Sequence, residues 1–242
     1  MILFLAAAIA AAPAPACPDV VTSDAFVCRA LASSKDGDPL AAAQAFEQAA
    51  LAQTGDEAEK ARLWAAAGNM WIAANQPGKA ALALDKALAG TGLQAEQRGE
   101  ALLDRARAAE AQNDLKTARS KLTEAAQTIS EDPFLWYFSA ALAIREGDAG
   151  TAKTAIQRAM TLAPNDPTIL FEAGHVYAFA GEPDQARTFW SRAGQLDSSG
   201  PIGKAAREAM NLSPLPPADA NAGPPQKPAP VAPAKPKPQP KS

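Results

Sequence analysis

Self-similarity at a spacing of 34 residues constrains this 242-residue chain more than any other feature of it. Within residues 133–166, Trp136, Ala140, Gly147, Ala152, Ile156, Ala159 and Pro164 fall at positions 4, 8, 15, 20, 24, 27 and 32 of a 34-residue unit. Advancing by 34 gives Leu170, Gly174, Tyr177, Gly181, Ala186, Trp190 and Ala193 at positions 4, 8, 11, 15, 20, 24 and 27 of residues 167–200. Stepping backwards, residues 99–132 place Leu102, Ala106, Ala118, Leu122 and Ala125 in the same register, and residues 61–94 place Trp64, Gly68, Trp71, Ala80, Leu84 and Ala87. Residues 23–56 contribute Phe26, Ala30, Gly37, Ala42, Phe46 and Ala49. About four extra residues follow each of the first two units, 57–60 and 95–98.

A fixed period of this size is the mark of a repeat architecture, in which each unit is one hairpin that cannot bury its apolar face alone. The apolar content, 48% of the chain with only 6% aromatic, is dominated by alanine, which favours helices that approach closely over a sheet. Small residues at positions 8, 20 and 27 mark where two helix axes come nearest, and large ones at 4, 11 and 24 fill the spaces between. Gly37, Gly147 and Gly181 stand where a first helix must end in a left-handed residue. Pro133, Pro167 and Pro201 follow Asp132, Asp166 and Gly200 and suit a helix's first turn.

This pattern resembles the tetratricopeptide repeat (TPR), over residues 23–200. The resemblance implies an all-α, right-handed solenoid of about five helix-turn-helix repeats, closed by a capping helix at residues 201–212. The first unit departs most, with Arg29 and Ser33 where the family has Leu and an aromatic. It also implies that function lies in a concave groove, at positions 2, 5, 9, 12 and 13 of each first helix. Those positions hold Phe134, Tyr137 and Arg145 in the fourth unit and Phe171, His175 and Phe179 in the fifth. The third unit adds Leu103, Arg107 and Glu110, and the second Arg62 and Asn69. Aromatic side chains flanked by arginine suit a protein or peptide partner, although the same spacings also serve packing between repeats. The Lys, Asn and Arg clamp of chaperone-binding TPR proteins is not carried over: Asn69 matches, but Ala65 stands where the clamp has Lys.

The two ends differ from the repeats. Residues 1–16 read as a signal peptide, an apolar stretch too short to span a bilayer followed by Ala14-Pro15-Ala16, although the leading Lys or Arg is missing. Export makes a disulfide between Cys17 and Cys28, the only cysteines, an expected feature of the N-terminal segment 17–22 and the first helix. The competing reading lipidates Cys17, against Ala14 where a lipobox has Leu, and this is the one route to the membrane. Residues 213–242 hold 11 prolines and four lysines against one acid, a composition expected to give a disordered, extended tail. That tail carries +3 and residues 1–212 carry −6.

A net charge of −3 argues against nucleic acid, whose binding needs a concentrated basic surface. With one histidine, His175, and two cysteines, neither a zinc cluster nor a Cys/His or Ser/His catalytic pair can be assembled, and no cofactor is expected. Gly90-Thr91-Gly92 lacks the Gly-Lys-Ser/Thr of a phosphate loop, and Asn211-Leu212-Ser213 is a sequon spoiled by Pro214. His175 reads as a structural histidine before it reads as a ligand-binding or pH-sensing one. The expectation is a non-catalytic scaffold or adaptor of the bacterial cell envelope, periplasmic or secreted, with a protein or peptide segment in its groove. The alternative is a lipid-anchored structural component of an outer-membrane assembly.

Overall fold

The computed structural model describes residues 17–212; the expected signal peptide and the Pro/Lys-rich tail lie outside the described residues. Eleven helices and no strand occur among the described residues. They are α1 (Ser23–Lys35), α2 (Pro39–Ala52), α3 (Glu57–Ala73), α4 (Pro77–Leu88), α5 (Ala95–Ala111), α6 (Leu115–Ala125), α7 (Pro133–Glu146), α8 (Ala149–Leu162), α9 (Pro167–Phe179), α10 (Pro183–Leu196) and α11 (Pro201–Leu212). Each helix packs on the next in chain order, and first helices also meet first helices, α3 with α5, α7 with α9, and α9 with α11. The result is a stack of five hairpins, with α11 laid over the last as a cap.

One turn geometry makes all five hairpins. The backbone amides of Asp38, Gln76, Asp114, Asp148 and Glu182 each donate to the carbonyl five residues earlier, at 2.8–2.9 Å. The residue before each is left-handed: Gly37, Gly147 and Gly181 have φ of 76°, 79° and 79°, while Asn75 and Asn113 have 54° and 62°. Glycine takes this conformation at no steric cost, and asparagine is the side chain that tolerates it best. The same five residues then cap the second helix. Asp38, Asp114 and Asp148 do so with their carboxylates, which accept from the amides of Ala41, Thr117 and Thr151 at 2.9, 3.0 and 2.9 Å.

The turn residues recur at spacings of 38, 38, 34 and 34, which locates the two four-residue additions. Residues 57–60 and 95–98 are helical. They are the first turns of α3 and α5, which run to 17 residues where α1, α7 and α9 have 13 or 14. Asp56 starts α3 early by accepting from Ala58 and Glu59, and a capping box between Gln94 and Gln97 starts α5 early. Each addition lengthens its helix by one turn, about 6 Å at 1.5 Å per residue.

The periodic small residues form the seams. All ten alanines at positions 20 and 27, from Ala42 and Ala49 to Ala186 and Ala193, have no exposed surface. Position 8 is buried in every repeat, and its two glycines are required by what packs there: a β-carbon on Gly68 would overlap Leu84, and one on Gly174 would overlap Trp190. Position 24 supplies the opposing bulk as Phe46, Leu84, Leu122, Ile156 and Trp190, all buried. The loop at residues 89–92 rests on the start of α3, where a β-carbon on Gly92 would lie 2.7 Å from the Glu57 carbonyl oxygen.

Polar ties cross the seams. Arg119 reaches from α6 to the Glu146 carboxylate and donates to the buried Ser139 hydroxyl at 3.0 Å, and Lys153 on α8 pairs with Glu182 at 2.5 Å. At the N-terminus the sulfurs of Cys17 and Cys28 are bonded, with their Cα atoms 5.7 Å apart, which fastens the leading segment to α1. Arg29 of α1 donates to the Val20 carbonyl at 2.7 Å and lies over the Phe26 ring at 4.4 Å. The departure of the first repeat at that position therefore serves the same N-terminal fastening.

Candidate binding groove

Stacking brings the first helices side by side, and two clefts open along that face. The first, about 440 Å³, lies between the first hairpin, α3 and α5. Leu31, Phe46, Ala65 and Met70 make its apolar floor, and Arg62, Asn69, Glu100 and Asp104 its polar wall. Leu31 is 59% exposed although the position is apolar. The second cleft, about 410 Å³, lies between α9 and α11 over Trp190, with Phe171, His175 and Ala178 on one side and Ala205, Glu208 and Ala209 on the other. Glu208 on its rim occupies position 8 of its unit, which in every complete repeat is a small buried residue.

The residues expected in the groove fall into four groups. Asn69 lines the first cleft and donates to Asp104 at 2.8 Å, and Arg107 holds the other Asp104 oxygen at 2.9 Å. Phe171 and His175 line the second, edge to face at 4.6 Å, with His175 also edge-on to Trp190 at 5.5 Å. Phe134 and Tyr137 stand edge to face at 6.4 Å on α7, Phe134 being 48% exposed. Arg145 and Phe179 stand apart. Arg145 spends its guanidinium on the Glu110 carboxylate and carbonyl and on Asn113 Oδ1, which ties the turn of one repeat to the next. Phe179 is the last residue of α9, 42% exposed, and lines neither cleft.

Two acidic side chains, Asp104 and Glu172, stand outside the concave register. Contacts between successive first helices join residues 35 apart, as in Asn69 with Asp104 and Glu110 with Arg145. The same offset sets Glu172 beside Tyr137. Burial pushes Glu172 up to about 7, and it has no hydrogen-bonding or ion-pairing partner among the described residues. Burial, and then Glu172, raise the Tyr137 hydroxyl. Burial first, then Glu96, Asp104 and Asp132, hold Glu100 above the ordinary carboxylate range. Burial lowers His175, so the neutral imidazole faces the second cleft. Glu100 was legible, since it stands at position 2 of the third unit; Asp104 and Glu172 stand at position 6, outside the family's register.

Among the described residues no group of three or more His, Cys, Asp or Glu is arranged to hold a metal ion, and no helix is long and apolar enough to cross a membrane. The groove offers aromatic faces, an apolar floor, and carboxylates of which burial raises Glu100 and Glu172.

No family model matches the sequence, and no curated protein does. Solved structures match the fold. PilW, described as a widely conserved type IV pilus biogenesis factor, is 17% identical with a TM-score of 0.65, covering 78% of this chain and 84% of its own. PilF of Pseudomonas aeruginosa is 13% identical with a TM-score of 0.62, covering 79% and 83%. YrrB, described as a TPR protein with an unusual peptide-binding site, is 17% identical with a TM-score of 0.55, covering 77% and 92%. With its five capped hairpins, its buried alanine seams and these structural likenesses, the chain has the helix-hairpin solenoid fold of tetratricopeptide-repeat proteins.

Proposed function

We propose that this protein is an exported, non-catalytic scaffold of the bacterial cell envelope that holds an extended segment of a partner protein along its first-helix groove. The observation that carries the reading is the run of aromatic and under-partnered acidic side chains from the first cleft through Tyr137 and Glu172 to the second. A scaffold whose groove were filled by its own packing would leave no such surface. Two of the structural neighbours support the reading by what their descriptions say of them, a peptide-binding site in YrrB and pilus biogenesis in PilW. The bond between Cys17 and Cys28 supports export, since such bonds persist in oxidising compartments. It also favours a soluble chain over the lipid-anchored alternative, because a bonded sulfur carries no thioether.

The test is capture from an envelope fraction with the full chain and with a Tyr137→Ala, Phe171→Ala double variant. Both substitutions fall on half-buried groove residues, so thermal melts are compared first. A partner recovered by the wild type and lost from a folded variant supports the groove; equal recovery of every partner by both removes it.

A further inference from the structure

The described chain ends at Leu212, one helical turn beyond Glu208 on the rim of the second cleft. Thirty residues follow it, and their charge is opposite to that of the repeats: Lys227, Lys235, Lys237 and Lys241 against the single acid Asp219. Three carboxylates of the groove they leave from, Glu100, Glu172 and Glu208, make no ion pair with a described residue. Glu208 lines the second cleft, Glu172 stands without a partner beside Tyr137, and Glu100 shares the first cleft with Asp104, whose own charge is already met by Asn69 and Arg107.

Chain chemistry fits the groove in two further respects. Eleven prolines lower the conformational entropy that such a sequence has to lose on docking, and proline-rich strands are bound in aromatic-lined grooves. Reach is also sufficient. At about 3.1 Å per residue, 30 extended residues span roughly 90 Å, whereas six first helices stacked about 10 Å apart span roughly 50 Å. Because the segment is tethered at the rim, its local concentration is on the order of millimolar, so a contact too weak to assemble two molecules is populated within one.

We propose that the lysine- and proline-rich residues 224–241 of the chain itself dock in the first-helix groove, prolines against Phe171, His175 and Tyr137 and lysines on Glu208, Glu172 and Glu100. The proposal rests on the groove being a binding surface and adds a resident that an incoming partner must displace. Lysine on Glu172 would favour the charged form of a carboxyl that burial pushes up to about 7.

The full chain is treated with a carbodiimide, which joins an amine to a carboxylate only when the two touch, and the linked peptides are identified by mass spectrometry. The expected result is amide links from the four tail lysines to Glu172, Glu208 and Glu100, at least fivefold more abundant than links to acids of the second helices such as Glu47 and Asp184, and weakened severalfold by 0.5 M salt, in line with screening of charge pairs. A mixture of isotopically heavy and light chains should give links within one isotope. Links spread evenly over all surface acids, or none, would overturn the proposal; mixed-isotope links would also overturn it, by making a second copy the occupant. The control variant carries Gln at all four tail lysines, and its thermal melt is compared with that of the parent first. If that variant captures more partner, severalfold, the tail and the partner share the groove. If tail links are absent while the Tyr137→Ala, Phe171→Ala variant still loses its partner, only the tail docking fails; if tail links form and that variant keeps its partner, the partner reading fails instead.

Discussion

The indole of Trp190 occupies the space that a β-carbon on Gly174 would need, and its Nε1 donates to the Phe171 carbonyl at 3.2 Å. Two residues 16 apart thus fix how α10 lies on α9 and what the floor of the second cleft is made of. Gly174→Ala gains about 1 kcal/mol of helix propensity but forces the indole out of its seat, an overpacking cost of about 1–3 kcal/mol with a lost hydrogen bond in addition. The expected outcome is a net loss of about 1–3 kcal/mol. It is read as a lower urea midpoint at unchanged slope, and Trp190→Leu in the same chain should recover part of it.

The turns carry a separate prediction. Gly147 has φ of 79° with nothing within 4 Å of where a β-carbon would stand, so substitution there costs conformation and not space. Gly147→Ala should destabilise by about 1–2 kcal/mol. Gly147→Asn should cost clearly less, because asparagine already holds the equivalent place at Asn75 and Asn113. Equal losses in the two variants, measured by chemical denaturation, would contradict the turn geometry.

Cys17 and Cys28 close a loop with a sequence separation of 11 at the free end of the stack. Removing a closure of that size costs about 2–3 kcal/mol. In a solenoid, where each repeat contacts only its neighbours, the loss should stay local. Hydrogen exchange of Cys28→Ser should therefore quicken in α1 and α2 and remain unchanged from α5 onward. Quickening throughout would show a cooperativity that nearest-neighbour contacts do not supply.

Glu172 makes stability depend on pH. Its carboxyl titrates at about 7 in the fold and near the ordinary 4.5 in an unfolded chain, so the folded state keeps a proton that the unfolded state has shed. This contribution is fully present below pH 4.5 and is lost as pH rises toward 7. Glu172→Gln removes the slope, and at pH 8 the variant should be the more stable by on the order of 1–3 kcal/mol, the lower part of that range if solvent reaches the carboxyl. His175, lowered by burial, contributes the opposite slope below its ordinary 6.5, so the comparison of parent with variant isolates the carboxyl. Parallel stability curves from pH 4 to 8 would show that burial does not perturb it.

How much of this was legible beforehand depends on the range of the interaction. The alanines at positions 20 and 27 announce their burial because every repeat needs the same close approach, and the aspartates at 38, 114 and 148 announce caps because a cap is made within four residues. The 34-residue period leaves residues 57–60 and 95–98 without a place, and it takes the local capping signal, such as Asp56-Glu57-Ala58-Glu59, to make them helix starts. Arg145 matched the groove register yet is held by Glu110 and Asn113, partners that a periodic reading does not weigh.

The sequence alone therefore determined the hairpin, its turn and the order of stacking, since each rests on contacts within one repeat or on a residue type repeated in all of them. Tertiary structure decided which side chains the groove leaves without partners. Glu172 meets Tyr137, and Glu208 faces His175, only once separate hairpins lie side by side, and whether a carboxyl there finds a cation depends on neighbours that no periodicity in the chain records.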